Sequence, residues 1–165
     1  MGDDPGSDFS RLARQSGVIT DPAAGEVLDL PHGTTCIALR FDDGVLIAGD
    51  RRATSGHLIS YRTMQKVFPS DRHSAVAIAG AAGAAIEMVR LFQLQLEHYE
   101  KVEGKELSLD GKAAQLSQML RQNLPAARAG MVVVPLFAGY DLRTNVGRLF
   151  QFDISGGRYE ELEYG

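Results

Sequence analysis

The stretch "GTTCIALRFDDGVLIAGD", residues 33–50, decides the fold. Over 35–41, Thr35, Ile37, Leu39 and Phe41 alternate with Cys36, Ala38 and Arg40, the period of two that marks an extended strand. Asp42-Asp43-Gly44 supplies turn residues and 45–50 runs back, so the segment reads as a β-hairpin. Its first residues, Gly33-Thr34-Thr35, are not required by a hairpin. Before them lies a stretch rich in Gly, Asp and Ser, in which only "FSRLARQ" (9–15) has the pattern of a short amphipathic turn of helix. Residues 1–33 therefore read as a leader or arm.

Beyond the hairpin, "RRATSGHLIS" (51–60) reads as a polar loop, "MQKVFP" (64–69) as a short strand halted by Pro69, and "SAVAIAG" (74–80) as a strand entering a glycine-rich corner. From Ala81 the period becomes helical, with Ala85, Val89, Phe92, Leu96 and Tyr99 on one stripe until "KVEGKE" (101–106). A second helix has Ser108 and Asp110 as candidate caps and carries Leu109, Ala113, Leu116, Leu120 and Leu124. Pro125 and Gly130 are expected to end it. "MVVVPLFAGYD" (131–141) and "RLFQFDIS" (148–155) read as strands across a turn at 144–147, and "GRYEELEY" (157–164) begins another. Strands in runs around two adjacent helices predict an α+β fold, an antiparallel sheet with the helices gathered on one face. The last residues, "LEYG", fall where a strand should be running, so the chain is expected to be incomplete at its C-terminus.

The length of 165 residues, 44% hydrophobic and 23% charged, suits one domain with a tail. Six of the 21 acids but only two of the 17 bases lie in residues 1–33, which leaves fifteen of each sign in the body. A neutral body with mixed signs offers no electrostatic footprint for a phosphate backbone or an anionic bilayer, so neither nucleic acid nor membrane is expected as a partner. The most apolar run, "AVAIAGAAGAAI" (75–86), is too short to span a bilayer, and the N-terminus lacks the pattern of a signal peptide. With Cys36 as the only cysteine no disulfide framework is possible, and a reducing, cytoplasmic setting is expected. His32, His57, His73 and His98 are dispersed, without metal-ligand spacing, and no phosphate-binding glycine loop is present. No metal and no cofactor are expected.

Gly33-Thr34 admits two readings. In the plainer one, glycine gives the chain freedom to turn into its first strand and β-branched threonines suit that strand. In the sharper one, the Gly33–Thr34 bond is a cleavage point, and Thr34 becomes an N-terminal residue whose α-amine, of ordinary pKa about 7.7–8.0, serves as base for its own hydroxyl. Such chemistry needs a cation beside the amine, an anion to orient that cation, and N–H donors for an oxyanion. Lys66 and Asp50 can supply the pair if their strands are neighbours, and the corner at Ala79-Gly80-Ala81 can supply the donors. Each also has an ordinary structural reading, as a solvated lysine, a partner for Arg51 or Arg52, and a close-packing glycine.

Together, "GTTCIALRFDDGVLIAGDRRATSG", "MQKV", "AIAGAAG", "GAAGAAIEMVRLFQLQLEHYEK" and "PLFAGYDLRT…GGRYEE" resemble the β subunit of the 20S proteasome, most closely the actinobacterial type, from about Pro31 to the last residue. The resemblance implies a four-layer αββα sandwich of the N-terminal-nucleophile hydrolase type, incomplete here at the C-terminus. It implies residues 1–33 as a propeptide removed by self-cleavage and 34–165 as a truncated hydrolase domain. It also implies Thr34 as nucleophile, Asp50 and Lys66 as the supporting pair, and Gly80 as oxyanion donor. By the same resemblance the main chain at Thr54 pairs with substrate, while Ala53, Met64, Ile78 and Ala82 line the specificity pocket, their apolar character favouring cleavage after hydrophobic residues. The implied activity is threonine-type endopeptidase action on unfolded proteins inside a barrel. The implied partners are other β subunits in a seven-membered ring, rings of α subunits and an ATP-dependent unfoldase ring. The alternatives are the related two-ring bacterial threonine peptidase, a non-catalytic ring-forming structural subunit, and an inactive fragment. Joint retention of Thr34, Asp50 and Lys66 argues against the second.

Overall fold

The structure is a computed structural model, and it describes residues 34–55, 58–61, 63–162 and 165. The turn of helix expected at 9–15 and the leader lie outside the described residues. The hairpin forms as expected: β1 (Cys36–Phe41) pairs antiparallel with β2 (Gly44–Gly49), from Cys36 opposite Gly49 to Phe41 opposite Gly44. Residues 51–60, expected as a loop, form most of a second small hairpin, β3 (Ala53–Ser55) with β4 (Leu58–Tyr61). β-Branched Thr54 and Ile59 on either side of Ser-Gly-His suit such a pairing, and polarity concealed it. β5 is only Val67–Pro69, so Lys66 stands just before this strand and not within it.

β5, β6 (Ser74–Gly80), β7 (Val133–Asp141), β8 (Val146–Phe152) and β9 (Arg158–Glu161) form one antiparallel sheet in that order. Between β6 and β7 the chain makes two helices, α1 (Ala82–Glu103) and α2 (Leu109–Arg128). Ser108 caps α2 as expected, its hydroxyl accepting the Gly111 N–H at 3.2 Å. Pro125 does not end α2 but sits in its last turn. Only one helical hydrogen bond is forfeited there, and the turn has few residues left to disturb.

The sheet is buried on both faces. Val76, Ile78, Val133, Phe137 and Phe150 meet Val89 and Phe92 of α1 and Leu116 and Leu120 of α2. On the other face Ala77, Leu136, Ala138 and Leu149 meet Ala38 of the β1–β2 hairpin, with Cys36, Val45 and Ile47 packed alongside. Burial from both sides explains why β7 reads as an uninterrupted apolar run. Pro135 is tolerated in it because pairing with β8 begins at Leu136 opposite Gln151, so no ladder donor is lost at the proline.

The described residues thus form an α+β sandwich of a helical layer, a five-stranded sheet and a hairpin layer. Charges tie it at the end away from the glycine-rich corner. Lys112, 3% exposed, holds Asp71 at 2.6 Å and Glu106 at 3.2 Å, and Arg148 joins Asp110, Asp141 and Glu160 at 2.7–3.2 Å. The hairpin turns Ala38 and Cys36 inward, which leaves Ile37, Leu39, Phe41 and Leu46 at 40–54% exposure on its outer face. Gly165 bonds both ways with Ala38, at 2.8 and 3.0 Å, extending this layer beside β1.

Phe137, wholly buried between Phe92 and Phe150, is the test of this core. Phe137→Ala is expected to lower unfolding stability by about 3–5 kcal/mol, and Leu94→Ala, at a residue 61% exposed, by no more than about 0.5 kcal/mol. Urea unfolding of the two variants distinguishes a core of this arrangement from a looser collapse.

Candidate active site

The end of β2 and the start of β1 are fastened together. Asp50 N–H donates to the Thr35 carbonyl at 2.9 Å, and Thr35 N–H donates to Asp50 Oδ1 at 2.9 Å. Asp50 Oδ2 accepts the Arg52 N–H at 2.9 Å, a local closure suited to an aspartate leaving a strand. Lys66 reaches this point from the approach to β5. Its Nζ donates to Asp50 Oδ1 at 2.8 Å and to the Arg52 carbonyl at 2.7 Å, with the side chain only 4% exposed. Two of the three ammonium donors are thereby accounted for.

The Lys66 ammonium, helped by the Thr35 and Arg52 N–H groups, holds the Asp50 carboxyl down at about 2. Burial pushes the neighbouring Cys36 thiol up, the Lys66 charge opposing and Asp50 reinforcing the change. Cys36 is therefore a protonated, half-buried filler, its Sγ 3.8 Å from the Ile78 carbonyl.

Lys66 and Thr34 line one cavity of about 210 Å³. Ala53, Met64, Ile78 and Ala82 line it as well, joined by Gly80 at its corner. Gly80 has φ +104°, and a Cβ there would run into the Val132 carbonyl oxygen, so only glycine fits. Successive N–H groups of an antiparallel strand face opposite neighbours, and every second one faces the same neighbour. Ile78 N–H donates toward β5, to the Lys66 carbonyl at 2.9 Å, so the Gly80 N–H turns to the same edge, past the last β5 pair, Val67 with Ala77. That edge is the cavity.

Of the residues singled out in the sequence, Thr34, Lys66, Gly80, Ala53, Met64, Ile78 and Ala82 thus surround one space, and Asp50 stands behind Lys66. Thr54 lies in β3, its backbone opposite Ile59. Gly33 lies outside the described residues. Sequence reasoning missed Arg52, whose carbonyl holds Lys66, and Ala85, which joins the lining one helical turn after Ala82. The i, i+3 spacing was a usable signal for Ala85. A carbonyl acceptor leaves no trace in a sequence. Among the described residues no three His, Cys, Asp or Glu side chains converge as metal ligands, and no helix is long and apolar enough to cross a membrane.

An α+β sandwich opening at the start of its first strand, with a paired lysine beside a threonine, has the form of the N-terminal-nucleophile hydrolase fold. The profile of the proteasome-subunit family matches residues 30–164, and the chain belongs to that family. It is 62% identical over 164 residues to the "Proteasome subunit beta" of Acidimicrobium ferrooxidans, covering 98% of this chain and 60% of the relative. The "Proteasome subunit beta" of Jonesia denitrificans is 55% identical over 166 residues, 97% of this chain and 55% of the relative. That of Streptomyces griseus is 59% identical over 143 residues, 87% of this chain and 50% of the relative. The chain therefore spans roughly half to three-fifths of the length of these curated relatives.

Because the folded carboxyl of Asp50 titrates at about 2, below its ordinary range, its contribution to stability is complete above about pH 4 and is lost as pH falls through about 2. Asp50→Asn is expected to cost about 1–3 kcal/mol at pH 7. That cost should shrink toward zero as the wild-type carboxyl is protonated. Paired urea titrations at pH 7 and across the acid limb check both the size and the sign.

Proposed function

We propose that this chain is a proteasome β-type subunit and that Thr34, freed by cleavage after Gly33, is the nucleophile of a threonine-type endopeptidase. The observation that carries the reading is the convergence of Thr34, Lys66 and the Gly80 N–H on one cavity, with Asp50 fixing the lysine. While residues 1–33 are attached, the Thr34 nitrogen is an amide and accepts no proton. Once it is an amine, it takes the proton of its own hydroxyl as Oγ attacks the carbonyl carbon of a bound peptide bond. The nearby Lys66 cation disfavours a second positive charge and so keeps the amine available as a base.

The carbonyl oxygen becomes an oxyanion facing the Gly80 N–H, a donor already placed before reaction begins. Collapse of the tetrahedral species breaks the C–N bond, the departing amine takes the proton held by Thr34, and an ester to Oγ remains. Water, activated by the same amine, hydrolyses the ester and restores Thr34. Self-cleavage at Gly33–Thr34, with residues 1–33 as propeptide, comes first and runs without that amine. Thr34 Oγ attacks the Gly33 carbonyl carbon, and the C–N bond breaks as the acyl group passes to Oγ and the nitrogen takes the hydroxyl proton. Water then hydrolyses the ester to leave Gly33 as a carboxylate and Thr34 with a free amine. The main chain at Thr54 holds the substrate strand by β-type pairing. Ala53, Met64, Ile78 and Ala82 favour a hydrophobic residue before the cut. The working particle is a barrel of seven-membered β rings capped by α-subunit rings and supplied with unfolded protein by an ATP-dependent ring, in the cytoplasm.

The reading is tested by the intact mass of the chain after co-expression with proteasome α subunits. Loss of residues 1–33 is expected from wild type, and full retention from Thr34→Ala. Lys66→Ala is expected to slow turnover of a fluorogenic hydrophobic peptide at least roughly 100-fold. An unprocessed, inert wild-type particle would sink the proposal.

A further inference from the structure

Glycine at position 80 permits the backbone turn there but does nothing to aim its own N–H, since its φ and ψ are the least restrained of any residue. Something outside must hold it. The Val132 carbonyl does so from just before β7. It accepts the Ala81 N–H at 2.7 Å, and the same oxygen occupies the place a Gly80 side chain would take. One acceptor thus fixes the peptide that follows Gly80, while the pairing of Ala79 with Val134 and Gly80 with Val133 fixes the strand on the other side.

Val132 is in turn set by the end of α2. Ala129 N–H donates to Ala126 O, Gly130 N–H to Ala127 O and Met131 N–H to Ala126 O, each at 3.0 Å. Asn123 Nδ2 reaches past these to the Met131 carbonyl at 3.2 Å. The reversal turns on Gly130, at φ +91°, where an added Cβ would meet nothing within 4 Å. A side chain there disturbs only the backbone torsion. Neither Gly130 nor Asn123 lines the cavity.

We infer that the corner joining α2 to β7 is the positioning element for the Gly80 N–H, with Gly130 and Asn123 acting on the reaction through the Val132 carbonyl. The inference rests on the reading above that this N–H receives the oxyanion. Because the corner aims a donor used in the transition state and leaves the apolar lining alone, its disturbance should appear in kcat and not in KM.

The test compares wild type, Gly130→Ala, Gly130→Asn and Gly104→Ala in particles assembled with proteasome α subunits, using a fluorogenic hydrophobic peptide. Gly104 ends α1 at φ +68° with equally open space about it, so its alanine variant imposes the same kind of strain away from Gly80. Gly130→Ala is expected to lower kcat roughly tenfold with KM unchanged. Gly130→Asn should recover most of the loss because asparagine tolerates the left-handed region, and Gly104→Ala should match wild type. In ¹⁵N-glycine spectra of the chain, the Gly80 amide should shift in Gly130→Ala and stay in place in Gly104→Ala. Unchanged kcat in Gly130→Ala, an equal fall in both alanine variants, or an unmoved Gly80 amide overturns the inference. If wild type itself is inert, the endopeptidase reading fails, and the Gly80 amide alone decides whether the corner controls that group.

Discussion

The contact on which the rest depends is the one between the Lys66 ammonium and the Asp50 carboxylate. An ammonium with its side chain 4% exposed is costly unless its donors are met, and here two of the three are met by a carboxylate oxygen and a backbone carbonyl from the segment 50–52. Lys66 also offers its own carbonyl to the Ile78 N–H. One residue therefore joins the hairpin layer, the strand bearing Gly80 and the loop that turns into β3. The hydrophobic layers bring these segments near one another, and the ion pair sets their register at the site.

The helical layer contributes at a distance. Its apolar stripe buries one face of the sheet, but its more specific effect is at the end of α2, where the chain is delivered to β7 in the conformation that pins Gly80. The opposite end of the sandwich is laced by Lys112 and Arg148 with their carboxylates. Among the described residues, the cavity end relies mostly on backbone hydrogen bonds and the Lys66–Asp50 pair. On the endopeptidase reading, groups that present N–H donors to a substrate cannot also be consumed in tying the layers.

Much of this was legible in the sequence because it is local. The period-two hairpin, the strand at 74–80, the Ser108 cap and the helical stripe all follow from neighbours a few residues apart. The residues of the cavity were legible through a resemblance whose motifs extend over most of the chain, and chemistry gave Asp50 and Lys66 a reason to meet. What escaped was non-local. Alternation divides Ile37, Leu39 and Phe41 from Cys36 and Ala38 but does not say which set faces the core, and the larger side chains proved to be outside. The burial of Lys112 has no local sign in the sequence, because its carboxylate partners come from two other segments. The small β3–β4 hairpin was hidden by polar residues, and Pro125 was misleading because a last helical turn has little left to lose.

The mutual bonds between Thr35 and Asp50 have a consequence for what precedes them. They grip the chain one residue after Thr34, so the frame around the cavity is anchored downstream of the Gly33–Thr34 bond. On the endopeptidase reading, the leader acts as a protecting group on one nitrogen. Its removal exchanges an amide for an amine within scaffolding that the Thr35–Asp50 bonds already hold.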